Sequence, residues 1–158
     1  NAPLRLAKHL PMTSYFRDMS AADLAAVFAI EQVSHPSPWP MRGLEESLAA
    51  HKGIVLCDEN ERLLGYAFVQ KIVDEAHLLD IAIAPSERGK GYGRLLMLHL
   101  MESVMTTGIS LWFLEVRASN TGAIGLYTAL GFNEMGLRRN YYRDAQGSED
   151  AVLMAYTV

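Results

Sequence analysis

The spacing of hydrophobic and polar positions changes several times along this 158-residue chain, and each change marks an element. Thr13 to Arg17 alternates as a first strand. Ser20 then stands as the N-cap of a helix, with Asp23 in the third position of a capping box. Leu24, Val27, Phe28, Ile30 and Glu31 recur at helical spacing as far as Val33. Ser34 to Pro40 holds three prolines, which fix their own φ and restrict the residue before each, so this stretch is a loop. Met41 to Ala50 returns to a helical period. Gly53 to Asp58 is a strand, and the polar turn Asp58 to Glu61 leads into a longer one, Leu63 to Val73, with Gly65 as a bulge. Ala76 to Ile83 is rich in Leu and Ile and reads as a strand buried on both faces.

The second half alternates more quickly. A loop, Ala84 to Gly93, precedes a helix from Tyr92 to Thr107 that carries a broad apolar stripe and ends at Gly108. Leu111 to Val116 is a strand, and Asn120 caps a helix, Thr121 to Leu130, that Gly131 ends. Met135 to Tyr142 and Ala151 to Tyr156 read as a final hairpin across a polar loop, Asp144 to Glu149. The order β-α-α-β-β-β-α-β-α-β-β mixes hairpins with strand–helix–strand passages. It implies an α/β (α+β) domain with a mixed, mostly antiparallel central sheet of about seven strands and helices on both faces. Residues 12–158 form this single domain. Residues 1–11 are read as an extension outside it, with Asn1-Ala2 as a vector scar and Met12 as the natural start.

Composition narrows the function classes. Half the residues are apolar and one fifth are charged, so the chain has enough material for a core. The formal charge of −4 argues against a dedicated nucleic-acid binder. Cys57 is the single cysteine, which excludes an intrachain disulfide and a cysteine zinc cage and fits a reducing, cytoplasmic setting. It lies in an apolar run and reads as a small core residue. No apolar run is long enough for a membrane span, and the five histidines form no metal-binding pair at helical spacing, so no metal is expected.

The most informative local feature is Arg88-Gly89-Lys90-Gly91-Tyr92-Gly93-Arg94, between an apolar strand and a helix N-terminus. Missing Cβ atoms let backbone N–H groups approach a ligand, the helix start adds unpaired N–H groups, and the cationic side chains add charge. Together these suit a pyrophosphate. The spacing fits neither the dinucleotide fingerprint nor the Walker loop. Glu115 stands out for another reason: a carboxylate inside the apolar strand Leu111 to Val116 is costly unless paired or functional.

Ile81-Ala82-Ile83-Ala84-Pro85 followed by Arg88-x-x-Gly91-x-Gly93 resembles the acetyl-CoA motif of the GCN5-related N-acetyltransferase (GNAT) superfamily. His35-x-x-Pro38-Trp39, Leu114-Glu115-Val116-Arg117-x-Ser119-Asn120, Ala123-Ile124-x-Leu126-Tyr127, Leu130-Gly131-Phe132 and Arg138-Arg139-Asn140-Tyr141-Tyr142 resemble, more narrowly, the bacterial ribosomal-protein-alanine acetyltransferase (RimI) family. The likeness runs from Met12 to Tyr156 and implies the GNAT fold. It implies acetyl transfer from acetyl-CoA to the N-terminal α-amine of ribosomal protein S18. The sequence does not fix the oligomeric state, and a monomer is the expectation. Backbone N–H groups of Ile81, Ala82 and Ile83 would meet the pantetheine and acetyl carbonyl. Arg88, Gly89, Lys90, Gly91, Tyr92, Gly93 and Arg94 would hold the pyrophosphate, and Asn120 would add a polar contact.

Glu115 maps to the general base, acting directly or through a water, with its pKa raised by burial. The alternative is a structural carboxylate paired with Arg117. Tyr127 maps to the general acid that protonates the departing thiolate; the alternative is a core tyrosine. His35, Trp39, Tyr141 and Tyr142 are the candidate walls of the acceptor groove, and Glu45, Glu46, Asp74, Glu75, Glu149 and Asp150 could steer a basic acceptor segment. Residues 1–11 have no counterpart in the family pattern, and Pro36 is additional. Two other readings share the cofactor site: an acetyltransferase for another N-terminus or a small amine, and a non-catalytic CoA-binding sensor.

Overall fold

A computed structural model describes residues 14–104 and 108–158. The expected extension over residues 1–11, the start at Met12, the first strand residue Thr13 and the end of the long helix at Thr107 lie outside the described residues. The elements are β1 (Tyr15–Asp18), α1 (Leu24–Ser34, entered through a 3-10 turn at Ala21–Asp23) and α2 (Met41–Ala50). Then come β2 (Lys52–Cys57), β3 (Leu63–Ile72), β4 (Glu75–Ile83), α3 (Tyr92–His99), β5 (Leu111–Arg117), α4 (Thr121–Ala129), β6 (Asn133–Asp144) and β7 (Gly147–Thr157). The expected element order is therefore found.

The seven strands form one sheet in the order β1-β2-β3-β4-β5-β7-β6. Every pairing is antiparallel except β4 with β5. Alternate side chains feed two cores. Ile54, Ala67 and Val69 pack with Leu96, Met97 and Leu100 on the α3 side, beside Trp112, Leu114 and Met154. Val55, Tyr66 and Phe68 pack with Leu24, Val27, Ile30 and Leu44 on the side of α1 and α2. Period-2 strands sandwiched between helices thus place helices on both faces. Cys57 is fully buried, as its apolar run suggests.

The start of α1 is tied down as the capping residues imply. Asp23 accepts the Ser20 N–H at 2.8 Å and both Arg17 guanidinium nitrogens at 2.8 Å, joining β1 to the helix entry. Gly65 lies beside a β2–β3 register shift, and its role is close approach. A Cβ there would stand 2.6 Å from Ile83 Cδ1 and 3.0 Å from the Ala82 carbonyl oxygen.

Three expectations need correction. β4 is not buried on both faces: Ala76, Leu78, Asp80 and Ala82 are buried, while the residues between them are half-buried. Its parallel pairing with β5 stops at Leu78↔Leu114, so its last five residues border a cleft on that side. The helix over Tyr92 to Thr107 leaves α-helical form at His99 and continues as a π-turn, Leu100–Val104. An apolar stripe cannot tell these two periods apart over a single turn. The polar loop Asp144 to Glu149 is mostly strand, because β6 and β7 run on to Asp144 and from Gly147. Its polarity marks an exposed edge rather than a loop.

Gly65→Ala is expected to lower stability by about 1–3 kcal/mol, the usual cost of overpacking. Urea unfolding should show a lower midpoint with unchanged slope. An unchanged midpoint would mean that Ile83 moves aside at no cost.

Candidate active site

The end of the β4–β5 pairing creates the site. Beyond Leu78 and Leu114 the two strands continue without pairing to each other, and a cavity of about 240 Å3 lies between them. Leu79, Asp80 and Ile81 line it from β4, and Glu115, Val116 and Arg117 from β5. α4 contributes Ala123 and Tyr127, and its cap Asn120. The C-terminal end of α1 and the proline loop contribute Glu31, His35 and Trp39, and β6 contributes Tyr142. Backbone N–H and C=O groups on the cavity edge of β4 from Leu79 to Ile83 have no strand partner among the described residues.

The walls come from distant parts of the chain, and Ser37 and Arg117 tie them together. Ser37 Oγ donates to the Arg143 carbonyl at 3.0 Å. Arg117 donates to Glu149 at 3.1 Å, lies 3.6 Å from Asp144, and stacks 4.5 Å from the centre of the Tyr142 ring. Register slips between Arg138 and Tyr142 make this part of β6 bulge, with Asn140 at φ +53°. Asp150 accepts the Asn140 N–H at 2.9 Å, and Ser148 donates to its side chain at 2.9 Å. Glu149 and Asp150 therefore hold the hairpin, and Glu46 pairs with Arg42, so these three are not free steering charges.

Glu115 is well buried, its side chain 7% exposed. His77 Nε2 lies 2.5 Å from Glu115 Oε2, and Arg138 is 3.9 Å from Oε1. The β4–β5 register pairs His77 with Phe113, two residues before Glu115 on the same strand face, and the two rings stack at 4.2 Å. Burial alone would raise the Glu115 carboxyl. The hydrogen bond and charge of His77, with the charge of Arg138, outweigh it and hold the group below its ordinary value. The expected upward shift is thus reversed, and the alternative pairing with Arg117 is not made: Arg117 pairs with Glu149 and Asp144.

Tyr127 is 5% exposed, and its hydroxyl makes no hydrogen bond among the described residues. Burial, with the nearby charge of Asp80, pushes its phenol upward, so it remains a proton donor. The side chain of Asn120 accepts the Ala123 N–H at 3.1 Å, which makes it the cap of α4.

The glycine loop lies outside this cavity, at the N-terminus of α3. Gly89 and Gly91 have φ of +78° and +86°, and no heavy atom lies within 4 Å of where a Cβ would stand. The loop face is bare backbone, as a close-approaching anion requires. Its cations are not equivalent. Lys90 pairs at 2.8 Å with Glu87, which also binds Arg62. Arg88 donates to the Ile83 carbonyl at 3.1 Å and to Ser34 at 2.8 Å. The Arg94 side chain has no such partner among the described residues.

Of the expected site residues, Ile81, Glu115, Asn120, Tyr127, His35, Trp39 and Tyr142 meet at the cavity. Ala82 and Ile83 continue the same strand beyond the lining, and Tyr141 stays outside, 46% exposed. Three residues escaped the sequence reading: His77, Asp80 and Glu31. Asp80 sits between Leu79 and Ile81, and Glu31 lies one and two turns beyond Val27 and Leu24 on the apolar face of α1. Both carry the signal that singled out Glu115, a carboxylate in an apolar pattern.

Comparisons with known proteins bear on the family and the fold. Residues 24–132 match the Acetyltransferase (GNAT) family. The chain is 41% identical over 140 residues to the [Ribosomal protein bS18]-alanine N-acetyltransferase of Salmonella typhimurium, covering 89% of this chain and 95% of that protein. The Escherichia coli K12 protein of the same name is 39% identical over 144 residues, with the same coverage. The crystal structure of the Escherichia coli ribosomal-protein-S18-alanine N-acetyltransferase superposes with a TM-score of 0.85 at 37% identity, covering 92% of this chain and 94% of that one. Arabidopsis thaliana NAA60 in complex with acetyl-CoA reaches 0.83 at 16% identity, over 92% and 99% of the two chains, a likeness of fold alone.

His77→Ala removes one of the two side chains that oppose burial at Glu115. Its carboxyl should then titrate at higher pH than in the unsubstituted protein. Carbon-13 NMR of the Glu115 side chain reads this directly. An unmoved titration would show that Arg138 alone sets the group.

Proposed function

The chain belongs to the GNAT acetyltransferase family, and from that premise we propose that it moves the acetyl group of acetyl-CoA to the α-amine of the N-terminal alanine of ribosomal protein S18. The observation that carries the acceptor is identity of about 40% across nearly the whole chain with two enzymes named for that acceptor. The geometry supports the chemistry separately. A carboxylate and a protonated phenol line one cavity, between strands that leave backbone groups free.

Acetyl-CoA supplies the thioester. The N–H groups of Ile81 and Ile83, on the open edge of β4, serve its pantetheine arm and acetyl carbonyl, whereas the expected third donor, the Ala82 N–H, faces β3. The bare loop Gly89 to Gly93 and the N-terminus of α3 take the pyrophosphate, with Arg94 as the loop's cation that has no other partner among the described residues. Lys90 and Arg88, tied to Glu87 and Ser34, shape the loop more than they add free charge. Asn120, already a helix cap, faces the cavity where the thioester would enter.

The acceptor nitrogen must lose a proton as its bond to the acetyl carbon forms. Glu115 takes that proton, directly or through a water. Its lowered pKa keeps it ionised and ready at neutral pH, at the cost of weaker basicity. The carbon–sulfur bond breaks as the thiolate leaves, and the Tyr127 hydroxyl supplies its proton. Preorganised backbone donors on β4 stabilise charge on the carbonyl oxygen between these events. His35, Trp39 and Tyr142 wall the acceptor's approach, and Tyr141 stands at its outer rim.

The test is thiol release from acetyl-CoA with a peptide carrying the S18 N-terminus, against the same peptide with a blocked N-terminus. Turnover requires the free amine. Turnover of small amines without turnover of the peptide would overturn the acceptor, and acetyl-CoA binding with no transfer would overturn the enzyme. Glu115→Gln should lower kcat by ~10²–10⁴, the usual value of a positioned acid–base group. Tyr127→Phe should lower kcat with acetyl-CoA affinity nearly unchanged, whereas a packing role alone would show as lost stability.

A further inference from the structure

A second group of ionisable residues lines the same cavity and has no part in the chemistry above. Glu31, His35 and Asp80 offer side-chain atoms that all lie within 4.8 Å of one another. Their hydrogen bonds are unequal. Glu31 is satisfied: the Tyr66 hydroxyl donates to Oε1 at 2.5 Å and the Trp39 N–H to Oε2 at 3.0 Å. Asp80 is not. Its Oδ1 lies 2.9 Å from His35 Nε2, but neither that nitrogen nor Asp80 Oδ2 has a hydrogen-bond partner among the described residues, although Asp80 is 91% buried. A buried carboxylate oxygen without a donor is expensive, and so rare in folded proteins that it marks a place where a donor arrives.

We infer that Asp80, backed by Glu31 and His35, is the subsite that binds the acceptor's primary ammonium group. The chemistry of the donor that fits follows from the surroundings. Two carboxylates exclude an anion. A cation carrying N–H groups gives Oδ2 the hydrogen bond it lacks. A divalent metal fits less well, because Glu31 already accepts two hydrogen bonds. An N-terminal α-amine, with an ordinary pKa of roughly 8, reaches the site largely as the ammonium at neutral pH. An enzyme for this acceptor therefore needs somewhere to hold the charged form until it releases one proton to solvent, which frees the lone pair; Glu115 takes the second as the bond to the acetyl carbon forms.

The inert protein already accommodates the crowding. Burial, then hydrogen bonding between its carboxyl and that of Asp80, then the Asp80 charge push Glu31 from an ordinary 4.5 up to about 7, so without an acceptor the only donor Asp80 meets from Glu31 is a shared proton, and the pair does not carry two full charges. An arriving ammonium compensates Asp80 without breaking either bond to Glu31. Asp80 also lies near Tyr127, whose phenol its charge pushes upward. The subsite is thus on the thiolate-protonating side of the cavity, with Glu115 on the opposing strand.

This inference rests on the proposed acceptor, so its experiment reads binding rather than turnover. Calorimetric titration with CoA present compares the S18 peptide with its des-amino analogue, in which hydrogen replaces the ammonium. The unsubstituted protein should prefer the ammonium peptide by about tenfold or more, the scale of a charge-assisted hydrogen bond. Asp80→Asn should lose that preference, keep its affinity for CoA, and raise the KM for peptide more than it lowers kcat. Retained CoA affinity shows that the variant is folded. Glu31→Gln, which keeps a hydrogen-bonding side chain, gives a second reading with a smaller loss. An unchanged preference in Asp80→Asn overturns the inference, as does stoichiometric Zn2+ binding that Asp80→Asn abolishes. If the S18 peptide is simply the wrong acceptor, neither peptide binds. The same pair of measurements with methylammonium as competitor then decides the subsite: Asp80-dependent binding supports it, and no binding overturns it.

Discussion

The parting of β4 from β5 is the constraint on which the rest depends. The two strands are parallel and register cleanly from Glu75↔Leu111 to Leu78↔Leu114, then separate. Each keeps its outer partner, β3 on one side and β7 on the other, so neither strand is lost from the sheet. What is lost is a run of ladder hydrogen bonds in the interior of a protein, where unpaired backbone is costly. A fold keeps such a gap only where something else fills it. Close packing of β3 on β4 at Gly65 keeps the other side of β4 in place while the gap is open.

Opening a sheet in its middle also changes the electrostatics. Three carboxylates face one small cavity, and each is handled differently. Glu115 is held as an anion by His77 and Arg138. Glu31 is held by a tyrosine hydroxyl and a backbone N–H, and by its raised pKa it gives up its charge readily. Asp80 has a half-exposed histidine 2.9 Å from one oxygen, and its other oxygen has no hydrogen-bond partner among the described residues. Removing a partner from a buried charge is more costly than never burying it. The three groups therefore differ in what they can accept: Glu115 a proton, Glu31 a proton in exchange with solvent, and Asp80 a donor from outside the chain.

Local pattern carried most of the architecture. Capping residues such as Ser20 and Asn120 act on their own turns, so they can be read without knowing the fold, and both elements start where they imply. Glu115 and Tyr127 were legible because motif and burial pattern pointed the same way. What escaped was set by pairing between distant segments. His77 is unremarkable until the register places it opposite Phe113 and beside Glu115. That contact reversed the expected direction of the Glu115 pKa, since burial is visible in a strand's apolar pattern and a cross-strand partner is not. The tip of the β6–β7 hairpin, Asp144 to Glu149, looked like a loop for the same reason: its polarity reports solvent, and an exposed hairpin end meets as much solvent as a loop does.

Net charge is a poor guide to where charge acts. The chain is acidic overall, and its glycine loop carries Arg88, Lys90 and Arg94 in sequence. In three dimensions Glu87 takes up Lys90 and Arg62, and Ser34 with the Ile83 carbonyl takes up Arg88. What remains for an anion is one arginine, a helix N-terminus and two left-handed glycines with open space before them. Backbone N–H groups fixed in direction need no reorganisation when a pyrophosphate arrives, whereas free lysines would have to be immobilised. The acidic surplus divides in the same way. Glu46, Glu149 and Asp150 are spent on local structure and Glu45 and Asp74 stay exposed to solvent, whereas the carboxylates inside the cleft meet a cationic acceptor where low dielectric makes each charge count for more than it would on the surface.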